Sequence, residues 1–229
     1  MITNLYNDYL KKYDELVNEL KGTNLKRIIE LSLEVHSLIH PSSINEKSIS
    51  DIVFDYMING HQNDIVEREI FDTDLHYAGC KKVPICWIFY HCYRIEDLVS
   101  NIIMKNQEQI FNDDWKKRLN IQITDTANAL NEDEVIEFGK HLNINALKEY
   151  MIEVSDNTRN IISNLTLEEI NSKVPEEWIM NVLEDGGVTT DFKSIWLLVF
   201  WGRLTRGEMI LTPLTNHHMI HLPVCFKLL

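Results

Sequence analysis

The chain is poor in the residues that make tight turns. Its 229 residues include eight glycines and five prolines, and we find no stretch with the strict apolar–polar alternation of half-buried strands. Sandwiches and barrels need many turns, so this scarcity disfavours them and favours long helices. Hydrophobic residues at 45% and charged residues at 25% are ordinary for a globular protein with a substantial core.

Basic charge is scarce as well. There are 22 lysines and arginines against 35 acidic residues, which gives a net charge of −13. A surface of that sign repels phosphate groups, so we expect neither nucleic-acid binding nor attachment to an anionic membrane. The longest apolar run, "IWLLVFW" at 195–201, is far shorter than the ~20 residues that span a bilayer.

Paired cysteines and an export signal are missing too. The N-terminal stretch "MITNLYNDYLKKYDEL" is interspersed with charged residues and lacks the apolar centre of a signal peptide. The four cysteines show no CxxC spacing; they are Cys80, Cys86, Cys92 and Cys225. Reduced thiols and a cytoplasmic location are therefore expected.

Apolar residues three and four positions apart predict several amphipathic helices. Four of them form the predicted core, with shorter helices around them; they lie at about 24–40, 84–104, 144–165 and 191–226. Within the last block, "LTP" is expected to break and restart the chain, with Thr212 as N-cap and Pro213 at the first helical position. Because no Pro/Gly/Ser-rich linker divides the chain, we expect one all-α domain over residues 1–229.

Three histidines stand close together in "TNHHMIHLP", residues 215–223. His217 and His221 are four apart, which on a helix places their Cβ atoms about 5–6 Å from each other. Two imidazoles at that spacing can bind one metal ion. His218 points about 100° away and is not expected to join them. Pro223 is expected to kink the helix at or after His221.

Spacing alone does not establish a site. Nine histidines in this length produce roughly 0.35 HxxxH pairs by composition, and the chain has a second pair, His36 and His40, in "EVHSLIHP". Hydrogen-bonded histidines on a semi-polar helix face are the alternative for either pair. His91 is the best candidate for a third ligand because it lies in the most apolar helix, where a buried histidine needs a partner. A bond to a backbone carbonyl would serve it equally well.

Two segments resemble a known family. "WIFYHCYRIEDL", 87–98, is similar to the second-helix signature of the DinB-like four-helix-bundle family, and "TPLTNHHMIHL", 212–222, resembles its last-helix HxxxH. In that family one histidine of the second helix and the pair of the last helix bind one divalent metal. The resemblance therefore implies His91, His217 and His221 as ligands. It also extends over "DTANALNEDEVIEFGKHLNINALKEYMIEVSDNTRNII" between them, and so over most of the chain.

The family's shortest members are considerably smaller than this chain. The segments 41–80, 105–131 and 166–190 therefore look like elaborations, suited to shaping a pocket or an interface.

The resemblance also implies a function. The family includes transferases and isomerases that use low-molecular-weight thiols such as bacillithiol or mycothiol, and three imidazoles leave positions open for substrate. It thus implies a metal-dependent transferase or hydrolase acting on a small electrophile, with Zn, Ni or Fe as cofactor and a homodimer as assembly. The alternative is a metal-binding bundle without catalysis, in a structural, interaction or stress-response role.

Five further residues are candidates near this site. Arg94 would hold an anionic thiol or substrate, or else form a salt bridge. Glu96 and Asp97 would orient an imidazole, or else pair between helices. His36 would line the same cavity from its own helix. Cys225 would be either a fourth, closing ligand or a small core residue.

Overall fold

A computed structural model describes residues 2–42, 47–68 and 81–229. This part of the chain is mainly helical, as expected for the all-α class. Its α-helices are α1 Ile2–Glu19, α2 Leu25–Ile39, α3 Ile49–Tyr56, α4 Ile85–Asp97, α5 Asp113–Leu119, α6 Glu132–His141, α7 Ile144–Ser163, α8 Leu167–Ile170, α9 Glu176–Glu184, α10 Phe192–Trp201, α11 Arg206–Leu211 and α12 Asn216–His221. Cys80 and most of the predicted irregular segment 60–82 lie outside the described residues.

The sequence patterns did not predict a small pair of strands. Strand β1, Ile65–Glu67, pairs antiparallel with β2, Lys82–Pro84. Three residues are too short for an alternating pattern to stand out from the surrounding polar sequence. The pair of strands leads directly into α4, whose first residue follows Pro84.

The central helix is α4. Every one of its residues is buried, and a π-helical continuation, Leu98–Ile103, extends it to the length predicted for 84–104. Helix α7 packs against both α4 and α2, and α1 packs along α2. The apolar core runs through all of them and includes the fully buried Trp87 and Trp201. Among the described helices, none has both the length and the apolarity to cross a bilayer.

The predicted last helical block, 191–226, is divided into α10, α11, α12 and a 3₁₀ helix, Leu222–Leu228. The expected N-cap at Thr212 is wrong, because Thr212 is the C-cap of α11 and the next helix begins only at Asn216, with Thr215 at its N-cap position. A residue before proline is kept out of the helical region by steric contact with the proline ring. The hydroxyl of Thr215 instead bonds the carbonyls of Ile210 and Leu211, both at 2.8 Å, and so terminates α11.

The segment before α6 lies along α4 and binds its polar groups. Four consecutive carbonyls, those of residues 124–127, each accept a hydrogen bond from an α4 side chain. The donors are Arg94, Tyr90, His91 and Trp87, in that order. A segment that the sequence presents as a polar connector therefore supplies the backbone acceptors that allow polar side chains inside the most buried helix.

Gly187 packs directly against the π-helical continuation of α4. A Cβ atom there would lie 2.4 Å from Cδ2 of Leu98, which is fully buried, and 3.0 Å from Cγ1 of Val182. We expect Gly187→Ala to destabilise the fold by about 1–3 kcal/mol through overpacking, measured by urea denaturation. Gly202→Ala is the control, because Gly202 is exposed and its φ of −64° suits alanine. Equal midpoints for both variants would contradict the prediction.

Candidate metal centre

Three imidazoles meet between α4 and α12. His91 comes from α4, and His217 and His221 come from one face of α12. The ring centroids lie 5.1 Å apart for His91 and His217, 5.3 Å for His91 and His221, and 4.7 Å for His217 and His221. The three interplanar angles are 63°, 79° and 89°. Three nearly perpendicular rings can direct one nitrogen each at a common point.

These distances fit a single ion. A nitrogen ~2.0–2.1 Å from a metal places its ring centroid about 3.2 Å from that metal, so ligand rings at 90–109° have centroids roughly 4.5–5.2 Å apart. The same geometry places two ligand nitrogens about 3.0–3.4 Å apart. Nε2 of His221 lies 3.1 Å from Nε2 of His217. The ligand atoms of all three residues lie within 4.8 Å of one another, so the cluster is close to the dimensions of a metal site.

His91 is held in the tautomer that a metal ligand needs. Its Nδ1 donates to the carbonyl of Thr126 at 2.8 Å, and a carbonyl can only accept, so Nε2 keeps its lone pair. The ring also stacks on Trp87, with centroids 4.6 Å apart and planes 6° from parallel. Burial lowers the pKa of His91 to about 3, so the ring is neutral near pH 7. A backbone carbonyl on the far nitrogen is the usual support of a metal-binding histidine.

The other two rings are neutral as well. Burial holds the pKa of His217 well below its usual range, and the neighbouring His91 adds to this effect. Burial and the adjacent His217 act in the same way on the pKa of His221. Helix α12 ends at His221, and Pro223 lies in the first turn of the 3₁₀ helix that follows. The proline therefore leaves the pair on one helical turn.

Arg68 lies at this cluster, although the sequence singled it out by no motif. Its guanidinium is 4.7 Å from the centroid of the Trp87 ring, and its Nη1 lies 3.4 Å from Nδ1 of His221. Since arginine only donates, Nδ1 of His221 accepts, and the proton of that ring then lies on Nε2. A metal on Nε2 would move this proton to Nδ1. Arg68 must therefore leave Nδ1 when the site is loaded.

This contact gives a testable result. Arg68→Met should bind a bare divalent metal about tenfold more tightly or better, because a fixed cation a few ångströms from a divalent ion is repulsive. Arg68→Lys, which keeps the charge but not the planar fork, is the matched control. The affinities can be compared by competition with a chromophoric chelator. Weaker binding in the methionine variant would assign Arg68 a supporting role instead.

The structure places Arg94 away from the three histidines. All five N–H groups of its fully buried guanidinium are used, by the carbonyl of Thr124 twice and by Asp97, Tyr150 and Gln109. No donor remains for an anionic substrate. Asp97 joins the same network, so neither residue orients an imidazole. Arg94 and Asp97 instead form a salt bridge with each other, which is the alternative that the sequence left open.

Glu96 and His36 belong to a second cluster. Glu96 lies among His36, His40 and His218, all buried. His218 is thus absent from the first cluster, as its direction on α12 predicted, but it has partners of its own. Composition alone could explain the second HxxxH pair, His36 and His40. In the structure both histidines contact the carboxylate of Glu96, which lies 56 positions beyond His40 in the sequence.

Cys225 does not contribute to the three-histidine cluster. Its side chain is fully buried, and burial raises the pKa of the thiol to about 12. A fully buried thiol that lies outside the ligand group is a small core residue. Within residues 2–42, 47–68 and 81–229 the cluster therefore has three protein ligands, and the remaining positions around an ion would be open to substrate or to another ligand.

A mainly helical protein with a buried group of histidines that could hold a metal ion is the class that the fold and the site define. No family model, no curated protein and no solved structure matches the chain.

Proposed function

We propose that the protein is a metal-dependent enzyme of the DinB-like four-helix-bundle type, with one divalent ion on His91, His217 and His221. The observation that carries this proposal is the fit of three nearly perpendicular rings, 4.7–5.3 Å apart, to one ion. The packing of α7 against α2 and α4, with α12 against α4, supports the bundle. In this arrangement α12 stands where the family has a longer last helix.

The ligand set favours catalysis over a purely structural role. Three neutral imidazoles suit Zn, Ni or Fe, and the three ligands found among the described residues leave room for a substrate atom. When bound, such an ion lowers the pKa of a thiol or a water molecule toward neutrality. The chain's own groups fix the geometry, since Thr126 orients His91 and Trp87 covers the ring from one side.

The substrate that we propose is a low-molecular-weight thiol. Arg68 places a cation beside the ligand cluster, and a cation there favours a ligand that carries negative charge. In the reaction the thiol sulfur forms a bond to an electrophilic carbon of a second small molecule. The leaving group departs with the bonding electrons, and the thiol proton passes to solvent. The residue that holds the anion is thus Arg68 and not Arg94.

Metal analysis of protein purified without a histidine tag tests the site. His91→Ala and His217→Ala should each lower the metal content by about one ion per chain, with circular dichroism unchanged because the helices have their own apolar faces. His141→Ala is the control, since His141 is an exposed histidine paired with Glu137 four residues before it. Unchanged metal content in both site variants would refute the site.

Thiol consumption tests the reaction. The metal-loaded protein is incubated with bacillithiol, mycothiol or glutathione and a small alkyl halide, and the free thiol is measured over time. Turnover that is lost in His217→Ala and retained in His141→Ala supports the transferase. A metal-loaded protein that consumes no thiol with any of them would leave the alternative function, a metal-binding bundle without catalysis.

A further inference from the structure

A buried carboxylate lies among three imidazoles beside the site described above. Glu96, on α4, is fully buried, and His36 and His40 reach it from α2, while His218 reaches it from α12. Oε2 of Glu96 is 3.1 Å from Nδ1 of His40 and 3.3 Å from Nε2 of His218. None of these residues belongs to the three-histidine cluster.

The contacts at Oε2 have ion-pair distances, but their angles do not meet the geometry of a hydrogen bond. Oε2 of Glu96, Nδ1 of His40 and Nε2 of His218 are all buried and all lack a hydrogen-bond partner. Polar atoms in that situation cost about 1–3 kcal/mol each. The two measured separations, 3.1 and 3.3 Å, lie within the range of about 3.0–3.4 Å expected for two atoms bound to one ion.

The hydrogen bond of His40 also indicates a positive charge beside Glu96. Its Nε2 lies 2.9 Å from the carbonyl of Leu214, so Nε2 carries the hydrogen and, in a neutral ring, Nδ1 has only a lone pair. That lone pair faces a carboxylate oxygen, which repels it. Something positive must lie between Nδ1 of His40 and Glu96, either an additional proton or a metal ion.

Ring geometry selects the ligands. His36 and His40 are stacked, with centroids 3.9 Å apart and planes 14° from parallel, so their in-plane lone pairs cannot meet at one ion. The rings of His40 and His218 cross at 71° with centroids 4.2 Å apart, close to the spacing of two ligands. His36 instead contacts the other carboxylate oxygen, with its Nε2 3.0 Å from Oε1 of Glu96.

We infer that His40, Glu96 and His218 form a second divalent-metal site, in which His36 positions the carboxylate. The donor set of two imidazoles and one carboxylate suits Zn²⁺. Because all three ligands are buried, with at most 1% exposure, the ion would tie α2, α4 and α12 together. The ligands of this second site are buried more deeply than His217 of the three-histidine site, which is only partly buried. The second site would therefore be closed to substrate, and its role would be structural support.

A Co²⁺ titration of the chelator-treated wild-type protein tests this inference without any substitution. The visible absorption of bound Co²⁺ should saturate at about two ions per chain. Saturation at a single ion would overturn the inference. The positive charge between His40 and Glu96 would then be a proton.

Single substitutions assign the ions to their sites. Glu96→Gln and His218→Ala should each leave one ion, bound with the spectrum of the three-histidine site, while His91→Ala should leave the other spectrum. His141→Ala is the control and should keep both. If His91→Ala removes an ion but Glu96→Gln and His218→Ala do not, the second site is refuted while the proposed function stands. The reverse result would refute only the proposed function.

The variant His36→Asn tests whether His36 orients the carboxylate of Glu96 or binds the metal itself. It should keep the two-ion stoichiometry but weaken the second site by about 10–100-fold, which is the usual effect of removing a residue that orients a ligand. Loss of the ion at saturating metal would make His36 a ligand and overturn the assignment made from ring stacking. Circular dichroism on each variant identifies one that fails to fold, and the wild-type titration then decides.

Discussion

The variant Asp97→Asn should lose about 3–5 kcal/mol of unfolding free energy, because it leaves a buried guanidinium without its charged partner. The Asp97 carboxylate is fully buried and accepts five hydrogen bonds. They come from the hydroxyl of Tyr150 at 2.6 Å, the amides of Ile110 and Phe111 at 2.8 and 2.9 Å, Nδ2 of Asn101 at 2.9 Å and Nη1 of Arg94 at 3.0 Å.

An asparagine cannot replace this acceptor. Its NH₂ group would face donors that now point at an oxygen, and the charge of Arg94 would be uncompensated in the core. The network also joins α4 to α7 through Tyr150 and to the chain that follows α4 through Ile110. Its loss should therefore lower the denaturant midpoint of the whole cooperative transition and not only loosen one segment.

Glu149→Gln is the matched control for this prediction. Glu149 also pairs with an arginine, Arg118, but its side chain is 63% exposed. Exposed pairs contribute about 0.2–1 kcal/mol, so its denaturation curve should lie close to that of the wild type. Similar losses in Asp97→Asn and Glu149→Gln would show that burial does not set the strength of the Asp97 network.

The residues Arg94, Glu96 and Asp97 illustrate how far a motif can be interpreted. The apolar spacing around them predicts a central helix, and α4 with its continuation occupies that place. Their individual roles depend on partners distant in sequence, such as Thr124 for Arg94 and His218 for Glu96. No local pattern contains those partners, so both the salt-bridge and the substrate interpretations stayed open until the fold was known.

The two histidine clusters differ in how predictable they were. His91, His217 and His221 come together as the family resemblance implied. The cluster around Glu96 depends on the directions in which side chains leave α12 and α4. His217 and His218 point about 100° apart, and residues five apart on α4, His91 and Glu96, point about 140° apart. Two faces of α12 therefore meet two faces of α4, which becomes apparent only once the two helices are known to pack together.

The sequence predicts the break in the last helical block but not the threonine that makes it. Proline in "LTPLT" excludes a continuous helix, and its spacing predicts the first threonine, Thr212, as the cap. The second one, Thr215, acts instead, and it bonds backward to the end of α11. A threonine hydroxyl can accept from a following helix or donate to a preceding one, so sequence alone does not choose between the two.

The largest effect that we expect at the three-histidine site is on the melting temperature of the protein. Metal should raise the melting temperature of the wild-type protein by about 8–16 °C more than that of His217→Ala. Free metal at a thousand times Kd stabilises the folded state by about 4.1 kcal/mol, and each kcal/mol shifts the melting temperature of a 150–250-residue protein by roughly 2–4 °C. Calorimetry with metal and with excess chelator measures both shifts.

The reason for so large an effect is the separation of the ligands along the chain. His91 and His217 are brought together only by the packing of α12 on α4, and the unfolded chain has no preformed site, so the free energy of metal binding adds to the free energy of folding. With chelator present, the wild type and His217→Ala should melt at similar temperatures, because His217 then has Nδ1 buried without a partner and supports little. Equal metal-dependent shifts in the two proteins would place the bound ion elsewhere in the molecule.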